Sequence, residues 1–334
     1  MAYSETEKLN QILIGAALSN AVCTVTELGI PDLITAGTPV SAESLAQSIG
    51  AHQRSLYRIM RYLASYGIFK ETPNAQFDHT ALSEALRADA EGSYRAGART
   101  WFQLFPTFGT LHHSIMTGEA GFIKEYGKPI FEFLGENPAM APLFDAAMTS
   151  FHGYETQAML DAYDFSGIKV LADIGGGIGS LIGSVLQSYP EMKGILFELG
   201  HVLGRAEESL KSQGLGDRCK FIEGNFFESV VSGADAYIFR HIIHDWTDEQ
   251  SVQILGNCRK VIPADGKLLL VECVIPTGNE RSISKDFDIV MMIAPGGIER
   301  TEQEFKDLFS KSGFQLTSVT STSTMVSIIE GTPV

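Results

Sequence analysis

One histidine stands among acidic residues that could carry out acid–base chemistry. His244 follows a short apolar run, and Glu272 and Glu299 occur further along the chain. An imidazole has an unperturbed pKa near 6.5, so at neutral pH it can take a proton from a hydroxyl group. Carboxylates beside it would orient the ring and stabilise the imidazolium. Spacing alone leaves a second interpretation open, in which Glu272 is an ordinary strand-end acid and Glu299 precedes a helix capped by Thr301.

A metal site is an alternative use of the same segment. His241 and His244 lie three residues apart and Asp245 follows, so all three could face one ion if the loop is helical. Zinc sites need further ligands, and this spacing is unusual for them. We therefore predict no bound metal.

A glycine-rich turn, Asp173 to Gly179 (DIGGGIG), follows an apolar run and precedes a helical segment. Gly175 and Gly177 allow a tight turn and close approach of a ligand, and the helix N-terminus supplies free N–H groups. In the dinucleotide pattern G-x-G-x-x-G the third glycine would fall at Ser180, and the acidic Asp173 replaces an apolar residue. A nucleotide with a cationic end and no pyrophosphate fits better, and S-adenosylmethionine is such a molecule.

Two further segments offer groups suited to an adenosine. Glu198 lies 21 residues after Gly177, where an acid can accept hydrogen bonds from both ribose hydroxyls. Asn225 could hydrogen-bond the adenine edge, and Phe226 could stack on its face. Each alone is also typical of a loop or core residue, but together at successive strand ends they indicate one adenosine site.

The elements that must position these residues belong to the second half of the chain. Short apolar runs alternate there with helical segments, which predicts a doubly wound α/β sheet, Rossmann-like, whose last strands are antiparallel, with helices between the first five strands. Strand-to-helix loops then share the edge where ligands of such sheets bind. The predicted strands are Val170–Ile174, Gly194–Glu198, Cys219–Glu223, Ala236–Arg240, Lys267–Val274, Phe314–Thr320 and Met325–Glu330.

The first half is predicted to be almost wholly helical. A helix after the N-cap Ser41 ends at Gly50, a second spans Gln53 to Ser65, and a hairpin turns at Pro73-Asn74, which is a winged-helix pattern. Arg54, Arg58 and Arg61 could face a DNA groove or lie on a solvated face of a dimerisation unit. The helical pattern of apolar residues continues from Arg95 to Tyr163, with loops expected at Gly118 to Gly127 and near Pro138.

Composition excludes polyanionic partners. The formal net charge of −15 (25 basic against 40 acidic residues) repels nucleic acid and anionic lipid, so we expect neither as a partner. The apolar stretch from Ile12 to Val25 is interrupted by polar residues, and we predict no membrane segment and a cytoplasmic location. Four widely spaced cysteines fit buried thiols in a reducing compartment.

At this point the sequence resembles a known family. It is similar to the S-adenosylmethionine-dependent small-molecule O-methyltransferases of the plant caffeate and flavonoid type and their bacterial relatives in antibiotic and phenazine biosynthesis. The resemblance spans nearly the whole chain. The motifs that carry it, in family order, are DIGGGIG (173–179), FELGH (197–201), GNFF (224–227), HDW (244–246), VECVIP (271–276) and GGIERT (296–301).

The resemblance implies roles and domains. It implies that the glycine-rich loop and Glu198 hold the cofactor, that Asn225, Phe226 and Arg240 flank it, and that His244 is the general base beside Glu272 and Glu299. It implies a winged-helix dimerisation domain at 1–95, a helical linker or substrate lid at 96–164 and a catalytic domain at 165–334. Plant members commonly have Lys at the Arg240 position and Asn at the Ala294 position, so a plant-type phenylpropanoid substrate is not expected.

The predicted reaction is methyl transfer from S-adenosylmethionine to a hydroxyl of an aromatic or polyketide-like small molecule by a homodimer. N- or C-methylation, a non-methylating enzyme of the same fold, and a winged-helix regulator that senses a nucleotide remain alternatives. The sequence does not identify the acceptor. The residues proposed for the acceptor pocket are Phe102, Phe105, Met148, Phe151, Asp245, Met291 and Met292.

Overall fold

A computed structural model describes residues 4–334, apart from the side chain of Ala141. The described chain forms two compact units. The first runs up to Pro106 and includes Pro138–Phe151, and the second comprises Thr107–Asn137 and His152–Val334. The three-part division proposed from the sequence stays a prediction.

The second unit is built on a seven-stranded sheet with the order β6-β5-β4-β7-β8-β10-β9. Neighbouring strands from β6 to β8 are parallel, and β10 pairs antiparallel with both β8 and β9. The predicted doubly wound sheet with antiparallel last strands is therefore confirmed. The strands are β4 Val170–Ile174, β5 Lys193–Glu198, β6 Cys219–Glu223, β7 Ala236–Arg240, β8 Lys267–Cys273, β9 Phe314–Ser321 and β10 Val326–Pro333.

Helices connect the first five strands at all but one place. The prediction of a helix between β6 and β7 is wrong, because residues 224–235 form turns and an irregular segment. Gly224, Ser229, Ser232 and Gly233 disfavour a helix in so short a connection. The helices around the sheet are α10 Glu155–Ala162, α11 Ser180–Ser188, α12 Gly200–Ser212, α13 Asp248–Arg259, α14 Ile283–Ile293 and α15 Glu302–Lys311.

The strand faces alternate between two apolar cores. Leu171 of β4 belongs to the core on one face of the sheet, while Ala172 and Ile174 belong to the core on the other. Burial on both faces explains why the central strands read as continuous apolar runs. Parallel strands that are buried in this way present their carboxyl ends at one edge, so the residues that follow β4 to β8 converge there.

The first unit begins with helices and a small sheet. Ser41 caps α2 through the backbone N–H of Ser44, and Gly50 ends α2 in a left-handed conformation, as predicted. The hairpin of β2 and β3 gains a two-residue strand, β1, that the sequence analysis missed. The elements are α1 Glu5–Glu27, β1 Val40–Ser41, α2 Ala42–Ile49, α3 Gln53–Ser65, β2 Phe69–Thr72, β3 Gln76–His79 and α4 Ala81–Glu84.

The long helix α1 leaves apolar side chains uncovered. Leu9, Ile12, Leu13 and Ile14 are all more than half exposed. By length and mean hydropathy (1.3) this helix could cross a membrane, although no membrane segment was predicted from the sequence. In its most apolar 18-residue stretch, 22% of the residues are buried. The core helix of a soluble protein and an N-terminal signal sequence pass the same test, so α1 is weak evidence for a membrane span.

The segment after residue 94 is helical, as predicted. The loop expected from Gly118 to Gly127 contains a further helix, α7, bounded by Ala120 and by Gly127 in a left-handed conformation, so that part of the prediction is wrong. Short helices between glycines lack the repeated apolar spacing that reveals longer ones. The helices are α5 Arg95–Phe108, α6 Leu111–Thr117, α7 Gly121–Tyr126, α8 Ile130–Glu136 and α9 Ala141–His152.

Candidate active site

His244 lies in a cluster of carboxylates at the sheet edge. Its Nδ1 is 2.8 Å from Oε1 of Glu299 and 3.6 Å from Oε2 of Glu272, and its Nε2 is 3.6 Å from Oδ1 of Asp245. Glu272 and Glu299 are buried, and His244 is 6% exposed. Because an ionised carboxylate only accepts hydrogen bonds, Nδ1 carries a proton that it donates to Glu299. The structure therefore brings together the three residues predicted as catalytic, with Nε2 as the nitrogen free of that bond.

The carboxylates set the proton affinity of this histidine. Burial alone would lower the pKa of His244, but Glu272, Glu299 and Asp245 outweigh burial and raise it to about 10. Burial in turn raises the pKa of Asp245 to about 6 and raises that of Glu272. The three carboxylates thus favour the protonated imidazole of His244.

The His244 loop is held by a glycine that must approach it closely. The backbone N–H of Ile298 donates to the carbonyl oxygen of His244 at 2.8 Å. A Cβ at Gly297 would lie 1.9 Å from that same oxygen, so no larger residue fits without moving the backbone. This contact ties the segment that carries Glu299 to the segment that carries His244.

Arg300 also holds the His244 loop through hydrogen bonds. Its side chain is 1% exposed and donates to the carbonyl oxygens of Ile243 and Trp246 and to Oδ1 of Asp248 at 2.9–3.1 Å. A guanidinium has five N–H donors in a fixed fork, so one side chain can bind several acceptors at once. Arg300 is not among the residues predicted from the sequence, although it directly follows the predicted catalytic acid Glu299.

The glycine-rich turn and Glu198 meet at the ends of β4 and β5. The backbone N–H of Gly177 donates to Oε2 of Glu198 at 2.9 Å, and the N–H of Leu199 donates to its Oε1 at 2.7 Å. Gly175, Gly177 and Gly179 all have positive φ, and a Cβ at Gly177 would meet no atom within 4 Å. The turn is thus left-handed in places and open above Gly177.

Asp173, in β4 directly before this turn, is a buried carboxylate with one oxygen that lacks a partner in the described residues. It is 1% exposed, and within residues 4–334 its Oδ2 has no hydrogen-bond partner. Burial raises the pKa of Asp173 to about 7, against the lowering effect of Arg240. A buried carboxylate next to a second acid, Glu198, suits a ligand that brings positive charge, so these residues fit S-adenosylmethionine.

Asn225 and Phe226 lie at the end of β6. Oδ1 of Asn225 accepts from the backbone N–H of Phe227 at 3.0 Å, which forms a local turn. Phe226 is 3.5 Å from a Cβ built at Gly175, so its ring borders the glycine-rich turn. The structure therefore brings Phe226 next to the turn and puts the amide of Asn225 in a local structural bond.

Arg240, at the end of β7, links two helix starts. Nη1 donates to Oγ1 of Thr156 at 2.8 Å, and Nη2 donates to Oγ of Ser180 at 3.1 Å. Ser180 is the first residue of α11, directly after the glycine-rich turn. Arg240 is thereby fixed beside the positive end of that helix.

A second buried histidine cluster was missed by the sequence analysis. Nε2 of His241 is 2.7 Å from Oε2 of Glu155, and Nδ1 of His152 is 3.4 Å from the same oxygen. The rings of His152 and His241 lie 3.8 Å apart, and the rings of His241 and His244 lie 5.1 Å apart. His152 ends α9 and Glu155 begins α10, 86 or more residues before His241, so sequence spacing could not have joined them.

The residues predicted for the acceptor pocket are divided between the units. In the first unit, Phe102 and Phe105 pack against an apolar cluster that contains Cys23, and the Phe151 ring lies 5.5 Å from that of Tyr94. In the second unit, Met291 is buried and Met292 is half-buried on α14, and Asp245 adjoins His244. All four cysteines are buried and none forms a disulfide, as predicted.

Comparison with known proteins places the chain. The sequence profile of the O-methyltransferase domain matches residues 108–315, and that of the O-methyltransferase dimerisation domain matches residues 10–89. The chain belongs to the O-methyltransferase family. It is an enzyme that transfers a methyl group from S-adenosylmethionine.

The methyltransferase has relatives along its whole length. It is 39% identical over 327 residues to a phenazine O-methyltransferase of Lysobacter antibioticus, covering 98% of this chain and 96% of the relative. The crystal structure of LaPhzM superposes with a TM-score of 0.94 at 38% identity, over 99% of this chain and 100% of that one. The structure of CalO1, a methyltransferase of calicheamicin biosynthesis in its S-adenosylhomocysteine-bound form, superposes with a TM-score of 0.82 at 30% identity over 100% of both chains.

Proposed function

We propose that this methyltransferase methylates a hydroxyl group of an aromatic or polyketide-like small molecule, with His244 as the general base. The observation that carries the proposal is the bond from Nδ1 of His244 to Glu299, which fixes the ring and leaves Nε2 to accept a proton. Phenols have pKa values near 10, so a base at the reacting oxygen is useful at neutral pH.

S-adenosylmethionine, when bound, supplies an electrophilic methyl group on a sulfonium. We propose that Glu198 accepts from the ribose hydroxyls, that Asn225 and Phe226 contact the adenine, and that Asp173, Gly175, Gly177 and Arg240 line the rest of the cofactor site. His244, whose pKa is raised to about 10 by its carboxylates, would lose its proton more readily beside a bound sulfonium, because two positive charges repel each other. Glu272 and Glu299 then stabilise the imidazolium that forms when Nε2 takes the hydroxyl proton.

We propose seven residues for the acceptor pocket. Phe102, Phe105, Met148, Phe151, Met291 and Met292 offer apolar and polarisable surface suited to a flat ring, and Asp245 adds a polar group. The linker or lid role for residues 96–164 belongs to the same proposal.

The test is mass spectrometry of a panel of phenols, hydroxynaphthoates and phenazines incubated with enzyme and cofactor. Methylation predicts a mass gain of one methylene, and fragmentation places it on oxygen. A gain on nitrogen or carbon, or no gain with an acceptor that the enzyme binds, would overturn O-methylation.

We further propose that the enzyme works as a cytoplasmic homodimer in which the winged-helix unit serves dimerisation. The exposed apolar residues of α1 (Leu9, Ile12, Leu13 and Ile14) would be covered by the second copy. Light scattering of the purified protein should give twice the chain mass of 36.3 kDa. Ile12→Asp should shift it toward the monomer, whereas partitioning of the wild type into detergent or vesicles would contradict this use of α1.

A further inference from the structure

The sheet order gives the bound cofactor a direction. Glu198 ends β5 and Asn225 follows β6, and both strands lie on one side of β4, whereas β7 lies on the other side. If the nucleoside occupies the β5 and β6 side, as the proposed function states, the amino-acid end of the cofactor extends across the glycine-rich turn toward the end of β7. Arg240 and His241 are the residues found there.

That end of the cofactor carries two opposite charges. A carboxylate needs donors, and Arg240 with the N-terminus of α11 supplies them. An α-ammonium needs acceptors that are buried with it, because an unpaired cation is costly away from water. The ammonium therefore needs buried acceptor atoms at this edge that have no other hydrogen-bond partner.

Glu155 and His241 each offer such an acceptor atom. Glu155 is 0% exposed, and the side chain of His241 is 8% exposed. Since a carboxylate accepts only, Nε2 of His241 carries the proton that it donates to Glu155, and Nδ1 keeps a free lone pair. Within residues 4–334, Oε1 of Glu155 and Nδ1 of His241 have no hydrogen-bond partner.

Oε1 of Glu155 and Nδ1 of His241 are both acceptors, so a ligand that binds them must bring a hydrogen-bond donor. We propose that Glu155 and His241 bind the α-ammonium of the cofactor, through Oε1 and Nδ1 respectively. The neighbouring residue Thr156 bonds Arg240, which places the acceptor of the ammonium next to the donor for the carboxylate. One pair of helix starts thus recognises both charges of the amino-acid end.

The protonation states agree with this assignment. Burial opposes ionisation of Glu155, but the hydrogen bonds that it accepts from His152 and His241 favour its anion and lower its pKa. Burial lowers the pKa of His241 to about 3, so its ring is neutral at pH 7. Asp173, another buried carboxylate with an oxygen that has no hydrogen-bond partner in the described residues, has a pKa raised to about 7 and is the weaker anion.

The test compares two ligands by calorimetry: S-adenosylhomocysteine, which keeps the α-ammonium, and its deamino analogue, which lacks it. Glu155→Gln should weaken S-adenosylhomocysteine about 10- to 100-fold, the range for a charge-assisted hydrogen bond, and leave the affinity for the deamino analogue within about 3-fold. Glu119→Gln is the matched control, because Glu119 makes the same 2.7 Å bond to a histidine, His113, on the exposed surface. It should change neither affinity.

Equal weakening of both ligands by Glu155→Gln would show a purely structural role and overturn the proposal. No change for either ligand would do the same. If wild type bound neither ligand, the cofactor site itself would be misplaced, which separates that failure from failure of the ammonium assignment.

A second variant tests the proposal if Glu155→Gln does not fold. A titration with a metal ion tests whether the cluster binds a different cation. His241→Gly suits the positive φ of this position (53°) and removes Nδ1 without supplying another acceptor, so it should show the same ligand-dependent loss. His152, Glu155 and His241 could also ligate a metal ion. Stoichiometric binding of Zn²⁺ alone by wild type, lost in Glu155→Gln, would reassign the cluster to a metal and overturn the ammonium proposal.

Discussion

Two buried histidines, three residues apart, have opposite proton affinities. His244 faces Glu272, Glu299 and Asp245, and its pKa rises to about 10. His241 faces one carboxylate, Glu155, and a second imidazole, and its pKa falls to about 3. Burial lowers the pKa of both, so the number and placement of carboxylates decide the difference. The same residue type is thereby suited to proton transfer at one position and to accepting a hydrogen bond while neutral at the other.

The largest expected effect separates the two histidines by function. His244→Ala should lower kcat by about 10³-fold, the range for loss of a general base, and leave the affinity for S-adenosylhomocysteine, which has no sulfonium, within about 3-fold. Steady-state kinetics and calorimetry measure the two effects. An equal loss of cofactor affinity and turnover would show that His244 shapes the cofactor site instead.

The next effect tests how His244 is held. Gly297→Ala puts a Cβ against the His244 carbonyl and should displace the loop, at a cost of about 2 kcal/mol or more in unfolding free energy and about 10²-fold in kcat. Gly256→Ala in α13 is a control, because a Cβ there meets nothing within 4 Å. Wild-type turnover in Gly297→Ala would mean that the loop position is unimportant.

A smaller effect concerns the charge that raises the pKa of His244. Glu299→Gln removes one of the carboxylates, so the pKa of His244 should fall and the acid limb of the kcat/KM profile should move to lower pH. Glu302→Gln, an exposed change three residues away, should leave the limb in place. A limb that stays put in Glu299→Gln, or moves upward, would contradict the source of the shift.

The smallest effect is on stability. His241 has a lowered folded pKa, so the folded state resists its protonation, and stability falls as pH drops from about 6.5 toward 3. His244 has a raised pKa and contributes stability that is present below pH 6.5 and lost as pH rises toward 10.

His241→Asn should therefore flatten the decline in unfolding free energy between pH 6.5 and 4.5, as measured by urea denaturation. His113→Asn, at an exposed histidine, should not. A decline that is unchanged in His241→Asn would place the acid sensitivity elsewhere.

Sequence patterns predicted the sheet and the His244 cluster because both depend on local signals. Apolar runs placed β4, β6 and β7 at their observed bounds, and the strand ends placed Glu198 and His244 at one edge. The connection from β6 to β7 was misjudged, because alternation of strand and helix is only a tendency of such sheets.

What the sequence could not provide depends on contacts between distant segments. Glu155 reaches His241 across 86 residues, and Gly297 touches His244 through space left by a missing side chain. Neither contact has a periodicity or a spacing. Arg300 is buried and donates to backbone carbonyl oxygens, whereas its charge alone would have predicted an exposed side chain.

The central claim is that His244 removes the hydroxyl proton, and its most direct measurement is kcat against the pKa of the acceptor phenol. An acceptor already ionised at the assay pH needs no base. The His244→Ala defect should therefore shrink from about 10³-fold for a phenol of pKa 10 to less than about 10-fold for a nitro-substituted analogue of pKa 7 assayed at pH 8.5. An equal defect for both phenols would contradict a role for His244 as the base.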